Sequence, residues 1–450
     1  MERDLTKGSP AKVLLSFTIP VFLGNIFQQM YNMADTVIVG KFVGPQALAA
    51  VGSTGTIMFL IVTSLVGMST GFTVMTAQYF GAGDEQGVRK TVTMAVLLSL
   101  VISGFVTVIS MAGMRSLLRL MSTPEDIFED AYRYIMIICA GIVAQVFYNL
   151  LSSILRALGN SRIPLYFLTM ASALNIVLDL ILIIFFHMGT AGAAYATVIA
   201  QGVSGLSCLV YIMKKVPVLK MSRKDWNMDW SLVKLQLRVG LPMAFQFSIT
   251  AIGTMLVQTA FNTLGSTIVA AYAAGVKIEQ LVTLPFLALG TAMATYTAQN
   301  TGAGKIKRVR QGFRTASWMS FLYAVVSGIF VVTVGKYMIY LFLSGDLTEI
   351  MQAVDLYFKC IGPFFIPLAV IYIFRNGIQG MGYGVLPMMS GMAELVGRVV
   401  CAAIASRYGS YFGMCMASPL AWVLAAGLLI GMYIYIMKKK MVTVQSHADL

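Results

Sequence analysis

Charged residues are scarce in this sequence. Only 11% of its 450 residues are Asp, Glu, Lys or Arg, whereas a soluble chain carries about 25%. Eighteen acidic residues are too few to cover the surface of a water-soluble protein of this length, and hydrophobic residues reach 58% with a mean hydropathy of +0.81. The same apolar content excludes a disordered or collagen-like chain. The composition therefore predicts a polytopic membrane protein.

Histidine and cysteine are also rare. There are two histidines, one of them His447 near the C-terminus, so a histidine-based metal or acid–base site is nearly excluded. The five cysteines all lie in apolar runs without metal-ligand spacing, and we interpret them as small buried residues. No catalytic constellation is evident at a membrane edge. We therefore expect no enzyme, no structural metal and no cofactor.

The apolar runs are long enough to cross a membrane. A spanning helix needs about 20 mainly apolar residues, and unpaired backbone groups in lipid force helices or closed barrels. The runs lack the short alternating segments of a barrel. The sequence therefore predicts an all-α polytopic membrane protein with twelve transmembrane helices, at residues 14–38, 48–78, 91–114, 132–155, 163–186, 190–213, 236–262, 270–299, 315–338, 354–376, 385–406 and 411–437.

The placement of the basic residues predicts the orientation. The net charge of +14 does not indicate nucleic acid as a partner, because most of the basic residues lie in short breaks between apolar runs. With the N-terminus in the cytoplasm, most of the basic residues fall on the cytoplasmic side, Arg156 and Arg375 among them. The charged N-terminus is interpreted as a retained tail. We expect a multi-pass protein of the plasma (inner) membrane with both termini cytoplasmic.

The chain is an internal duplication. The segment QYFGAG at 78–83 recurs as QNTGAG at 299–304, 221 residues later, and Pro20 recurs as Pro242 at an offset of 222. Each half holds six predicted spans, so both halves enter the membrane in the same direction. We therefore expect two six-helix lobes related by a pseudo-two-fold axis along the membrane normal, with a cleft between them.

A polar segment separates the two predicted lobes. The expected domains are an N-terminal lobe at 1–213, a linker at 214–235 and a C-terminal lobe at 236–450. Trp226 and Trp230 lie four residues apart in the linker, close to several basic residues. This pattern predicts a cytoplasmic amphipathic helix at the membrane interface.

Several motifs together resemble one known family. They are Pro20, QQMYNMADTVIVGKFVG at 28–44, the paired loops QYFGAGD and QNTGAGK, and NIVLDLILI at 175–183. They look like the multidrug and toxic compound extrusion (MATE) family, and the resemblance covers essentially the whole chain. It implies two six-helix lobes and cation-coupled efflux of amphipathic, often cationic, compounds.

Two carboxylates lie inside predicted spans of the first half. An ionisable group at mid-bilayer costs about 2.5–3.5 kcal/mol on insertion scales and is a functional hypothesis by default. Asp35 shares a helix face with Gln28 and Tyr31, and Asp179 follows Asn175 by four residues. If the two carboxyls face each other, a proton or a sodium ion could bind there. The alternatives are a solvated Asp35 at the external end of its span and an Asp179 that only joins two helices by a hydrogen bond.

The resemblance assigns roles to these residues. In one branch of the family, positions matching Asp35, Asn175, Asp179 and Thr197 form a cation site in the N-terminal lobe, and those matching Gln28, Tyr31 and Asn149 line the adjoining substrate pocket. Another branch has an essential acid in the tenth span. This chain has only Asp355 at the edge of that span, so a full site in the C-terminal lobe is not expected.

The second half offers further polar residues within spans. Glu279 is a candidate substrate residue, and Glu394 is spaced to pair with Arg398 on one helix face, as a structural ion pair or a functional one. In the seventh span a polar residue recurs every four positions from Gln246, a second candidate substrate residue; the stripe indicates either a cleft-facing surface or helix packing. Pro20 predicts a bend in the first span, either static or responsive to protonation of Asp35.

These observations predict a secondary active multidrug exporter. It would exchange H⁺ or Na⁺ for small-molecule drugs or organic cations by alternating access, as a monomer in contact with membrane lipid and without nucleic acid. The alternative is a flippase for lipids or lipid-linked compounds, which is disfavoured because few basic residues lie within the spans. A channel would more often show a re-entrant filter.

Overall fold

The computed structural model describes residues 4–121, 123–341 and 347–448. All regular structure in this part of the chain is helical. The α-helices are α1 (Pro10–Phe42), α2 (Pro45–Ala82), α3 (Glu85–Leu120), α4 (Glu125–Ala140), α5 (Ile142–Ala157), α6 (Arg162–Leu180), α7 (Gly189–Lys215), α8 (Trp230–Asn262), α9 (Ser266–Gly302), α10 (Ile306–Val334), α11 (Thr348–Ile361), α12 (Phe365–Gly380), α13 (Val385–Arg407) and α14 (Tyr411–Ala448).

The helices reproduce the predicted spans. Eleven of them, with α11 and α12 joined as Thr348–Gly380, are long and apolar enough to cross a membrane. Helices α4 and α5 bend by 47° at Gly141 and together provide a twelfth span. Large apolar side chains remain exposed along the helices, such as Phe105 at 65% and Val108 at 67% on α3, as a lipid-facing surface requires. The predicted fold class, an all-α polytopic membrane protein with twelve spans, is confirmed.

The duplicated Gly-Ala-Gly loops have a conformational reason. Gly83 follows the end of α2 with φ +76°, and Gly304 follows the end of α9 with φ +70°. Residues with a side chain rarely adopt this left-handed conformation, so glycine is the residue that ends these helices at low cost. After the first loop, Asp84 accepts a hydrogen bond at 2.8 Å from the N–H of Gly87 and caps α3.

The contacts divide the chain into two units. Unit 1 holds Ile19–Ala244, and unit 2 holds Leu5–Thr18 together with the described chain from Phe245 onward. Residues Leu5–Thr18 therefore belong to unit 2, whereas the predicted N-terminal lobe at 1–213 includes them. The reason is that polar groups of this segment form hydrogen bonds with residues of unit 2. The Leu5 N–H donates to Gln299 Oε1 at 2.8 Å, and Lys305 Nζ donates to Thr6 Oγ1 at 2.9 Å.

The linker is not the predicted amphipathic helix, and that prediction is wrong. Between α7 and α8 the chain forms two short 3₁₀ turns, Pro217–Leu219 and Arg223–Trp226. In the second turn Asp225 Oδ2 accepts hydrogen bonds from the Ser222 N–H at 2.7 Å and the Ser222 hydroxyl at 2.9 Å. This local cap competes with a continuous helix. The cytoplasmic and interfacial location of the linker stays a prediction.

Within unit 1, small residues allow close helix packing. Gly71 of α2 faces Gly240 of α8, and a Cβ added at Gly71 would lie 2.5 Å from the Gly240 Cα. Close approach at small residues is a common way for membrane helices to associate. Gln236 of α8 is fully buried in the same unit and donates to the Thr91 carbonyl at 2.7 Å. The first turns of α8 are thereby fixed against α2 and α3.

Candidate functional site

The two predicted carboxylates of unit 1 face each other. Asp35 lies in α1 and Asp179 lies in α6, and their carboxyl groups are within hydrogen-bonding range. Asp179 is fully buried, and Asp35 is partly buried. Asp35 is therefore not a solvated residue at the end of its span. The i, i+3 and i, i+4 spacing seen in the sequence is what turns both carboxyls toward the interior of the unit.

An amide and a hydroxyl complete the group. In the orientation that satisfies all its neighbours, the Asn175 side-chain nitrogen donates to Asp179 Oδ2 at 3.0 Å. Its oxygen then accepts from the backbone N–H of Thr197 at 3.2 Å and from the Thr197 hydroxyl at 3.3 Å. Thr197 belongs to α7. The structure thus brings all four predicted cation-binding residues together from three helices.

Two tyrosines adjoin the carboxyl pair. Tyr31 lies one turn before Asp35 on α1, and its hydroxyl is within hydrogen-bonding range of Thr197. Tyr134 of α4 is buried and interacts electrostatically with Asp35, Asp179 and Tyr31. Sequence reasoning missed Tyr134, because α4 is distant in sequence and carries no pattern that marks this one residue. The only sequence feature that could have indicated Tyr134 is its position shortly after the acidic residues at the start of α4.

The carboxyl pair has no basic partner among the residues described. Neither Asp35 nor Asp179 forms an ion pair there, and one carboxyl oxygen of each, Oδ1, accepts no hydrogen bond. Two ionised carboxylates in contact repel each other, and burial adds a desolvation cost. A proton or a cation held between them removes the repulsion. The oxygens of the two carboxyls and the Thr197 hydroxyl suit a hard cation such as Na⁺, while the Asn175 amide links Asp179 to Thr197.

Helix α6 changes its winding just beyond the carboxylate. The α-helix ends at Leu180 and continues as a single π-helical turn, Ile181–Phe185. Such turns are rare inside helices and occur frequently at functional sites. The wider turn begins two residues after Asp179, so the irregular backbone lies next to the proposed site.

Unit 1 also contains a cavity, and its lining includes Gln201, four residues after Thr197 on α7. Its volume is about 100 Å³, and Pro20, Gln28 and Asn149 are among the residues that line it. Asn149 is partly buried and donates to the Gln145 carbonyl at 2.8 Å. Gln28 is exposed. Two of the three predicted pocket residues of this half, Gln28 and Asn149, therefore share one cavity, and the third, Tyr31, lies at the carboxyl pair.

The candidate substrate residues of the second half lie in unit 2. Gln246 is buried and accepts a hydrogen bond at 2.5 Å from the Gln379 amide. The Tyr357 hydroxyl donates to Glu279, whose side chain is partly exposed. Part of the polar stripe on α8 is satisfied within the helix, since the Thr250 hydroxyl donates to the Gln246 carbonyl at 3.0 Å.

A buried ion-pair cluster lies in unit 2. Glu394 accepts from Arg398 at 2.6 Å, so the predicted pair on α13 is confirmed. Its second oxygen accepts from Arg375 of α12 at 2.7 Å. The sequence assigned Arg375 to the cytoplasmic side, and which side it occupies stays a prediction. The residue lies within the Thr348–Gly380 span and is only 9% exposed. The buried carboxylate of Glu394 requires compensating charge, which explains why Arg375 lies inside the unit.

Comparison with known proteins identifies the family. The family model described as MatE matches residues 20–181 and 242–404. This chain belongs to the MatE family. The two matched ranges start 222 residues apart, which confirms the internal duplication. Members of the family are transporters, so the prediction that the chain is not an enzyme is confirmed.

Relatives and solved structures agree with this assignment. The chain is 32% identical over 379 residues to the probable multidrug resistance protein YpnP of Bacillus subtilis, covering 83% of each chain. It is 26% identical to the probable multidrug resistance protein YoeA of the same organism, covering 97% of this chain and 96% of the relative. It superposes with a TM-score of 0.90, at 25% identity, on an outward-facing multidrug resistance MATE family transporter, covering 97% of this chain and 98% of that one.

Proposed function

We propose that this MatE-family transporter exports amphipathic, often cationic, compounds in exchange for a proton or a sodium ion. The carboxyl pair of Asp35 and Asp179 would bind the coupling ion, with Asn175 and Thr197 as the neutral residues of the site. The names of YpnP and YoeA as probable multidrug resistance proteins support efflux as the activity. The coupling part of the proposal rests on the site itself.

One observation carries the proposal. Two carboxyls from different helices are in contact, one of them fully buried, and neither is paired with a basic residue in the described chain. A structural ion pair would include its own counterion, as Glu394 does with Arg375 and Arg398 in unit 2. A carboxyl pair without a resident counterion has to take up a cation from outside, and exchange of that cation is what coupling requires.

The same contacts indicate how binding would drive transport. An ion shifts a conformational equilibrium only by its different affinity for the two states. The site is shared by α1, α6 and α7, so a change in the position of α1 would separate Asp35 from the other ligands. Pro20 lies in α1 and lacks one backbone hydrogen bond, which makes this helix the one best suited to move.

The carboxyl pair also supports the substrate part of the proposal, because its negative charge attracts a cationic compound. A cationic compound bound beside the carboxyls would compete with the coupling ion for the same negative charge. Competition of this kind gives exchange, because one partner has to leave before the other binds.

Transport by purified protein in liposomes tests the proposal. A fluorescent cationic dye would be followed under a proton gradient alone and a sodium gradient alone. We expect one of the two gradients to drive the wild type and the Asp126→Asn variant, whose changed residue is exposed on α4, but not Asp35→Asn. Dye movement by Asp35→Asn at the wild-type rate would reject the site. Movement of lipid without any dye transport would favour the flippase alternative.

A further inference from the structure

A second charged group of unit 1 lies outside the cation site. Arg156 is in the last turn of α5 and lines the same cavity of about 100 Å³. Among the described residues it forms no ion pair, and its guanidinium donates one hydrogen bond, at 3.3 Å, to the Ser153 hydroxyl. A basic residue near a helix C-terminus is favoured by the helix dipole, but no carboxylate in the described chain neutralises this one.

The cavity wall near Arg156 supplies further donors. Ser152 and Ser161 line it with hydroxyl groups, and both are buried. Asn25 also lines it, and its side-chain nitrogen is a buried donor without an acceptor in the described chain. A buried donor without a partner is costly and calls for an explanation.

The lining of the cavity carries positive charge only. None of its lining residues is acidic, and Arg156 is the one charged residue among them. Arg156 is partly exposed, so water can hydrate its guanidinium, but the positive charge has no anionic partner in the cavity. The planar fork of arginine matches a carboxylate or a phosphate through two parallel hydrogen bonds.

We propose that this cavity binds a carboxylate or phosphate group through Arg156, with Asn25 and Ser152 as neutral donors. The volume corresponds to about three water molecules at roughly 30 Å³ each, so the group is small, or is the acidic end of a larger molecule that extends out of the cavity. This site goes beyond the proposed function, since it uses other residues than the cation site and binds the opposite charge.

Thermal unfolding of the purified full-length protein in detergent tests the proposal without transport. The midpoint Tm would be measured while sodium phosphate or sodium acetate replaces sodium chloride, at constant sodium concentration and ionic strength. In separate samples, phosphatidylglycerol is compared with phosphatidylcholine added to the micelles. We expect a saturable rise in Tm with at least one anion source, because a ligand that binds only the folded state stabilises it. A response to phosphate or acetate indicates a free acid group, and a response to phosphatidylglycerol alone indicates a lipid headgroup.

Matched variants decide whether Arg156 is responsible. Arg156→Gln should abolish the saturable rise, whereas Arg162→Gln should keep it, because Arg162 is exposed at the start of α6 and does not line the cavity. If Arg156→Gln does not fold, Arg156→Lys should fold and need a several-fold higher anion concentration, since lysine lacks the fork. Asp179→Asn should keep the full response, which separates this site from the cation site. No rise in the wild type with any anion, or an unchanged rise in Arg156→Gln or Arg156→Lys, would overturn the proposal.

Discussion

The two units handle buried carboxylates in opposite ways. In unit 1, Asp35 and Asp179 meet without a basic partner among the described residues, whereas in unit 2 Glu394 lies between Arg375 and Arg398. The first arrangement has no basic partner in the described chain, and we propose that its charge is exchangeable; the second contains its own counterions, so its charge is fixed. Because the chain is a duplication, two halves with a shared helical plan differ in whether a buried carboxylate has a basic partner.

The strongest test of this comparison removes the charge of the exchangeable pair. Asp35→Asn and Asp179→Asn should be inserted at wild-type levels but lose efflux of a cationic dye from cells at least tenfold, since the pair can no longer hold the coupling ion. Asp126→Asn serves as the control, because this residue is exposed at the start of α4. Efflux within twofold of the wild type in both site variants would show that the charge of this pair is not required for transport.

The fixed charge of unit 2 should matter for stability instead. Glu394→Gln leaves two buried guanidinium groups without their carboxylate, and breaking a buried pair costs about 3–5 kcal/mol. We expect a clear fall in the thermal midpoint of the purified protein, while Asp179→Asn keeps or raises it because it relieves repulsion.

An exposed ion pair provides the control for that measurement. Glu85 lies 3.4 Å from Arg89, and its side chain is 64% exposed. Glu85→Gln should change stability by about 0–1 kcal/mol. A midpoint that falls equally for Glu85→Gln and Glu394→Gln would mean that the cluster of unit 2 is not a special stabilising element.

A neutral residue of the proposed cation site should have a smaller effect. Asn175→Ala removes the donor to Asp179 and the acceptor beside Thr197. A hydrogen bond to a charged group contributes roughly 1.5 kcal/mol, which corresponds to about tenfold in affinity. We expect half-maximal transport to need about tenfold more coupling ion, with the maximal rate largely kept.

A threonine on the same helix gives the matched comparison. The Thr169 hydroxyl of α6 donates to its own helix at the Leu165 carbonyl, at 3.0 Å. Thr169→Val should leave the coupling-ion dependence unchanged. Equal shifts for Thr169→Val and Asn175→Ala would indicate a general disturbance of α6 and not the loss of a ligand.

The smallest expected effect concerns the linker. Hydrogen bonds from Ser222, and then the nearby charge of Arg89, hold the pKa of Asp225 below its usual range. A lowered folded-state pKa stabilises the protein above the unfolded pKa of about 3.9 and loses this contribution as the pH falls through the folded value. Asp225→Asn should therefore cost about 1 kcal/mol at neutral pH, and the difference should shrink below pH of about 4.

Thermal midpoints across pH would test the linker prediction. Asp229→Asn is a suitable comparison, because Asp229 lies just outside the turn and its carboxyl accepts from the Ser231 N–H at 3.0 Å. A difference between wild type and Asp225→Asn that grows toward acid pH would contradict the assigned sign.

Much of the fold could be predicted from the sequence, because length and apolar content alone decide a membrane span. The residues of the proposed cation site could also be grouped from the sequence, because helical periodicity places the polar residues of one span on one face. Asp35 has Gln28 and Tyr31 on its helix face, and Asp179 has Asn175 one turn earlier, so periodicity already turns them inward. The family resemblance then predicted that the two faces meet in one site.

Contacts between helices distant in sequence could not be predicted in this way. Arg375 meets Glu394 through the packing of α12 on α13, and no spacing rule links residues 19 positions apart. In the sequence Arg156 is an ordinary basic residue of a predicted cytoplasmic break. Only the structure shows that it lines a cavity together with polar side chains. The linker was mispredicted because the Ser222–Asp225 cap stabilises a short turn more than its composition indicates.

The most direct test of the central idea counts the ion displaced by substrate. Purified wild type would be mixed with a cationic substrate in weakly buffered solution, and protons released, or radioactive sodium displaced, would be measured per substrate bound. We expect release of one of these ions by the wild type, and none by an Asp179→Asn variant that still binds substrate. Equal release by both proteins would show that the coupling ion binds elsewhere.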